Sequence, residues 1–167
     1  MRIAAIASGA AALLTMGAAA AVPNGANLWN GARAGMTIDQ VDAVVAQASP
    51  ATAQMLEDGS QSGLSAPAEL ASAPAEAIFF FRNKALSAVL VERHAMASGH
   101  GPENLAEAKR IVALATSQYG PPRSCITRGE LAALNCVWTA GSIKVAVSYH
   151  DFGGGSPALS VLYRLAR

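Results

Sequence analysis

The clearest signal in the chain is an alternation near its C-terminal end. Ile143, Val145, Val147 and Tyr149 are separated by Lys144, Ala146, Ser148 and His150, the period-two pattern of a strand with one face in a core. Leu159, Val161, Tyr163 and Leu165 alternate with Ser160, Leu162 and Arg164 in the same way, after a glycine-rich connection at Gly153 to Gly155. Leu134, Cys136 and Trp138 share one face of a preceding strand. Further upstream, Ala77 to Arg82 carries Ile78 and three consecutive phenylalanines. Asn83-Lys84 joins it tightly to Ala85 through Arg93, where Ser87, Val89 and Val91 alternate with Leu86, Ala88 and Leu90. That pair predicts a hairpin. Leu64 to Ala71 reads either as a linker or as a weak strand, the latter at a sheet edge where Pro67 is tolerated.

Two stretches have a helical period instead. Thr37-Ile-Asp-Gln40 is a capping box, with Met36 and Val41 placed for a hydrophobic staple. Ile38, Val41, Val44, Val45 and Ala48 then recur at helical spacing until Ser49-Pro50, because the residue before proline avoids helical dihedrals. The second helix starts at Pro102, with Glu103 and Glu107 in its opening turns. It carries an apolar stripe of Leu105, Ala108, Ile111, Val112, Ala115 and Tyr119, and stops at Gly120-Pro121-Pro122. The resulting order is helix, three strands, helix, three strands. It predicts an α+β fold with two helices packed on one face of an antiparallel sheet, in a pseudo-duplicated α-β-β-β order.

The N-terminus carries a different pattern. Met1-Arg2 precedes an apolar stretch from Ile3 to Met16, and Ala19 and Ala21 satisfy the small-residue rule for signal peptidase ahead of Val22-Pro23. A cleaved signal peptide over 1–21 is expected. The stretch falls short of the roughly 20 residues of a spanning helix, so no transmembrane segment is expected after cleavage. Residues 22–34 then form an N-terminal extension and 35–167 a single domain with halves 35–94 and 102–167. Export changes the meaning of Cys125 and Cys136. In an oxidising compartment they are most simply a disulfide, the alternative being two unpaired buried thiols. No C-x₂₋₄-C pair supports a zinc site.

Gly35-Met36-Thr37-Ile38-Asp39-Gln40-Val41, followed by Ala48-Ser49-Pro50, resembles the opening signature of the SmpA/OmlA (BamE-like) domain of bacterial envelope proteins. The tandem form of that domain resembles β-lactamase inhibitory proteins. The resemblance implies helical segments on an antiparallel sheet and a bacterial periplasmic or secreted protein whose activity consists of binding. Ala48 stands where that family has glycine, and no lipid-bearing cysteine follows the leader, so a role in outer-membrane assembly is not implied.

Composition narrows the function classes further. Of 167 residues 52% are hydrophobic and 14% charged, which argues against disorder. The formal charge is +1, and removing Arg2 with the leader leaves 11 basic against 11 acidic residues. Nothing there suggests an electrostatic grip on nucleic acid or anionic lipid. His94, His100 and His150 are the three histidines; their spacing matches no metal-binding or protease motif, yet they are weak candidates for a metal site or a small hydrolase. Ser156 within Gly-Gly-Gly-Ser-Pro lies between two strands, where neither a nucleophile elbow nor a phosphate loop belongs. Trp29, ahead of the first helix, is a candidate partner contact. The expectation is therefore an exported, non-enzymatic envelope protein that binds another envelope or secreted protein and needs no cofactor. A periplasmic hydrolase or metal enzyme built on His94, His100 and His150 is the alternative, and a carrier of a small apolar ligand held between helix and sheet is a further one.

Overall fold

Residues 25–93, 96, 101–128, 133–151 and 157–166 are described by the computed structural model. In chain order they form β1 (Asn27–Trp29), β2 (Ala32–Arg33), α1 (Ile38–Val44), β3 (Ser49–Pro50), β4 (Gln61–Leu70), β5 (Ala73–Arg82) and β6 (Ala85–Arg93). After these come α2 (Gly101–Tyr119), β7 (Ser124–Arg128), β8 (Ala133–Ala140), β9 (Ile143–His150) and β10 (Ala158–Leu165). The expected signal segment lies outside the described residues.

β1 and β2 pair with each other, and the other strands make one eight-stranded sheet in the order β3-β4-β5-β6-β10-β9-β8-β7. Every pairing in it is antiparallel. Each half of the chain is a meander, and the halves join where β6 pairs with β10, from Ala88 opposite Arg164 to Arg93 opposite Leu159. The expected α+β fold of two helices over an α-β-β-β repeat is thereby overturned: the chain is mostly β. Three local causes account for the difference. The first helix is seven residues long, because Val45 is already extended and Gln47 turns through a positive φ of 59°. Leu64 to Ala71, read as linker or weak strand, falls almost wholly within β4, and β4 and β5 run for ten residues each. Finally, β3 and β7 extend the sheet at its two edges, although neither shows a hydrophobic alternation.

Other expectations hold in detail. The capping box of α1 is formed, with Gln40 N donating to Thr37 Oγ1 at 3.4 Å and Thr37 N donating to Gln40 Oε1 at 3.0 Å. Asn83 and Lys84 adopt φ of 51° and 65°, the left-handed pair that a two-residue hairpin turn demands. β3 pairs only with Ser65 and Leu64, so Pro67 has a strand neighbour on one side alone, where a proline is tolerated. Residues 25–34, expected as an extension, include the β1–β2 hairpin, whose Leu28 and Ala32 are buried together with Ala34.

One face of the sheet carries the core in rows that run across both meanders. Leu64, Phe79, Val89, Tyr163, Val145 and Trp138 stand opposite one another in register. So do Ala66, Ala77, Val91, Val161, Val147 and Cys136. The β1–β2 hairpin and α1 contribute Leu28, Met36 and Val41 to this core, and α2 contributes Ala108, Ile111 and Ala115, the centre of its expected stripe. Polar contacts fasten α2 as well. Arg93 of β6 pairs with Glu107, and Trp138 Nε1 donates to the carbonyl of Gly120, just beyond the helix end, at 3.0 Å.

Cys125 and Cys136 form a disulfide between directly opposite positions of β7 and β8, with a Cα–Cα distance of 4.0 Å. Cys136 is fully buried and Cys125 exposed. Cys125 lies on the edge strand β7, so the bond fixes the register of β7 against β8. Replacing the pair (Cys125→Ser with Cys136→Ala) is expected to cost about 2–3 kcal/mol of stability for a closed loop of this length. Urea unfolding of the variant against the oxidised parent measures the loss.

Candidate binding face and basic cleft

The second face of the sheet is treated differently in its two halves. On the N-terminal half, Ile78, Phe80 and Ala88 form a separate buried cluster roofed by Ala51 and Leu56, with Leu90 and Leu162 at its margin. Ser62 Oγ holds that roof in place by donating to the Thr52 carbonyl at 2.8 Å and accepting from Gln54 N at 2.8 Å. On β7 to β10 no described side chain of this face is buried. The open area is built from short side chains in register. Ile126, Asn135, Ser148 and Ser160 make one row, which continues into Glu92 of β6 and Glu76 of β5. Asn135 Nδ2 donates to Ser148 Oγ at 3.1 Å. The next row is Val137, Ala146 and Leu162, and the one after is Thr139, Lys144 and Arg164.

That last row opens into a cleft at the end of the sheet, with a volume of about 610 Å³. Arg82 and Asn83 border it from the β5–β6 turn, Lys144 from the start of β9, Arg164 from the end of β10, and Asp58 from the roof segment. Asp58 is engaged in its own turn, where Oδ1 accepts from Ser60 N at 3.1 Å. Lys144 and Arg164 stand directly opposite each other, an arrangement that costs a few tenths of a kcal/mol or more between adjacent strands. Among the described residues, no ion pair joins Arg82, Lys144 or Arg164 to a carboxylate.

Under α2 the phenols are shifted by their surroundings. Burial pushes the Tyr163 hydroxyl up to about 12, with the neighbouring Tyr119 adding to the shift. Burial also raises Tyr119. Tyr149 is fully buried and raised by burial and by Asp151, whose Oδ2 accepts from its hydroxyl at 3.4 Å, while a hydrogen bond with the buried Asn104 pulls the other way.

Of the residues singled out from the sequence, Cys125 and Cys136 are joined as described. His150 is half-buried at the end of β9 and shares the open face with Ser148. His94 and His100 lie outside the described residues, and so does any meeting of the three histidines. Trp29 packs edge-on against Phe79, centroids 5.8 Å apart, and is partly covered. It also borders a shallow depression with Pro67 and Pro74. The space between α2 and the sheet, where an apolar ligand was considered, is filled by Trp138, Tyr149, Val147 and Ile111. A carried ligand would need another place.

Arg82, Lys144 and Arg164 were not singled out from the sequence. Period-two alternation does put Lys144 and Arg164 on the polar sides of their strands, but only the β9–β10 register sets them side by side. No helix among the described residues is long and apolar enough to cross a membrane.

No protein-family model matches the chain, and no curated protein matches it. Among solved structures the chain is similar to a crystal structure of a DUF4309 family protein (YjgB) from Bacillus subtilis, at 11% identity over 78% of each chain and a TM-score of 0.40. A likeness that loose carries no argument about fold or activity.

The shifted phenol makes a pH prediction. The unfolded chain releases a tyrosine proton near pH 10, whereas Tyr163 in the fold holds it to about 12. The folded state therefore binds the extra proton in that window, and stability falls as pH climbs from 10 towards 12. Melting temperatures between pH 8.5 and 11 should drop less steeply in Tyr163→Phe than in the parent.

Proposed function

We propose that the chain is an exported, non-enzymatic protein that binds a folded partner protein through the uncovered sheet face of β7 to β10. The observation that carries this reading is the row Asn135, Ser148 and Ser160, set in register beside Val137 and Ala146 on a face where no described side chain is buried. Short side chains on three adjacent strands make a broad, shallow platform. Such a surface fits the flat or gently convex exterior of another protein better than a small molecule, which needs a concave site. The basic end of the platform, at Lys144 and Arg164, calls for a partner that is acidic where it meets them. The cross-strand disulfide and the leader-like N-terminus support export. The resemblance of Gly35 to Pro50 to the BamE-like opening supports a bacterial envelope setting.

Export is checked by mass. Protein recovered from a bacterial periplasm should begin at Val22 and gain two hydrogens on reduction; an intact leader or a fully reduced chain would contradict it. For the face, Ser148→Arg places a long cation at the centre of the platform, and Lys109→Glu on the exposed side of α2 is the control. In-cell crosslinking should show a partner band that falls at least tenfold in Ser148→Arg and persists in Lys109→Glu, with both variants melting within a few degrees of the parent. A band indifferent to Ser148→Arg, or the absence of any band, would overturn the reading.

A further inference from the structure

At the basic end of that face we propose that the cleft bordered by Lys144 and Arg164 binds a small oxyanion ligand carrying two or more negative charges, a compact di- or tricarboxylate or a phosphate ester. Size is the first support. At about 610 Å³ the cleft falls in the range of small-ligand sites. Charge is the second. Arg82, Lys144 and Arg164 border it from three separate strands; among the described lining residues the one carboxylate is Asp58, which accepts from the backbone N–H of Ser60.

The third support is energetic. Folding alone gives no reason to set Lys144 opposite Arg164, since like charges in register on adjacent strands repel, and no described carboxylate pairs with either. A bound dianion converts that repulsion into two charge-assisted contacts. Arg82 closes the third side, and Asn83 beside it adds an uncharged amide donor. Both are positioned by the β5–β6 turn, whose left-handed residues Asn83 and Lys84 leave the chain one way to turn. The cleft is open to solvent, so binding there is weakened by salt.

The site and a merely structural cationic patch predict opposite things for charge removal. If the cations serve the fold, Lys144→Gln lowers the melting temperature. If they serve a ligand, Lys144→Gln and Arg164→Gln leave the ligand-free protein as stable as the parent or more so, and binding is lost. The probes are inorganic phosphate, glycerol 3-phosphate, succinate and citrate, titrated calorimetrically against the oxidised protein at fixed ionic strength, with chloride as reference. At least one probe should bind with submillimolar Kd, and each single substitution should weaken it at least tenfold. Phosphate and glycerol 3-phosphate binding without citrate or succinate assigns the phosphate class, and the reverse assigns the carboxylates. No heat from any probe beyond chloride, or binding that survives Lys144→Gln with Arg164→Gln, overturns the proposal. Because Ser148→Arg leaves these cations in place, failure of the open-face reading and failure of this one are read from different variants.

Discussion

The pairing of β6 with β10 is the constraint on which the rest of the structure depends. Each meander by itself is a sheet with one apolar face and too few helical residues to cover it. Joining them edge to edge makes Val89 and Val91 of one half direct neighbours of Tyr163 and Val161 of the other. The two core rows then run unbroken from β4 to β8, and one buried layer serves both halves. The cover is assembled from two sources: the β1–β2 hairpin with α1 over one end, and α2 over the other. A slip of one residue at the seam would turn every apolar side chain of one half to the wrong face. The register is therefore held by the whole core and not by any single contact.

The same seam creates the asymmetry of the opposite face. In the N-terminal half that face is apolar at Ile78 and Phe80 and must be roofed, which the segment around Ala51 and Leu56 does. In the C-terminal half the same two rows hold Val137, Ala146 and Leu162, then Thr139, Lys144 and Arg164, and none of these is buried. β7 is held at the margin by a covalent bond because its own side chains bury nothing. An edge strand exposed along its whole length has little else to keep it in register. The disulfide thus serves the edge, whereas the aromatic and β-branched rows serve the centre.

How much of this was legible in the chain depends on whether the information was local. The faces of β8, β9 and β10, the stripe of α2, the capping box and the Asn83-Lys84 turn all follow from periods and turn chemistry within a few residues, and all are found. The cysteine pairing followed from compartment logic. What could not be read was non-local. Ser49–Pro50 and Ser124–Arg128 have no alternation of their own and are strands only because a neighbouring edge receives them. β4 carries Pro67 and only two large apolar residues, Leu64 and Leu70, so its strand character depends on pairing with β5 and its phenylalanines. The helix expected to reach Ala48 ends early because the chain must turn back to lay β3 against β4. Those differences together move the fold from α+β to mostly β.

The cleft belongs to the same non-local class, for a specific reason. Lys144 and Arg164 each read as an ordinary polar position of a half-buried strand, and Arg82 as the last residue before a turn. They converge because the seam sets Ala88 of β6 beside Arg164, on the side away from Lys144. A larger residue than alanine at that position would crowd the arginine. The backbone irregularity of the β5–β6 pairing follows immediately, between Phe80 and Phe81, where Ser87 stands unpaired and turns its hydroxyl to the Phe80 carbonyl at 3.0 Å and to Ser60 at 2.9 Å. Small side chains and a local bulge at the join of two meanders leave a hollow, and the hollow is bordered by cations drawn from both halves. Neither half contains the site by itself, so the pairing that completes the core also completes the cleft.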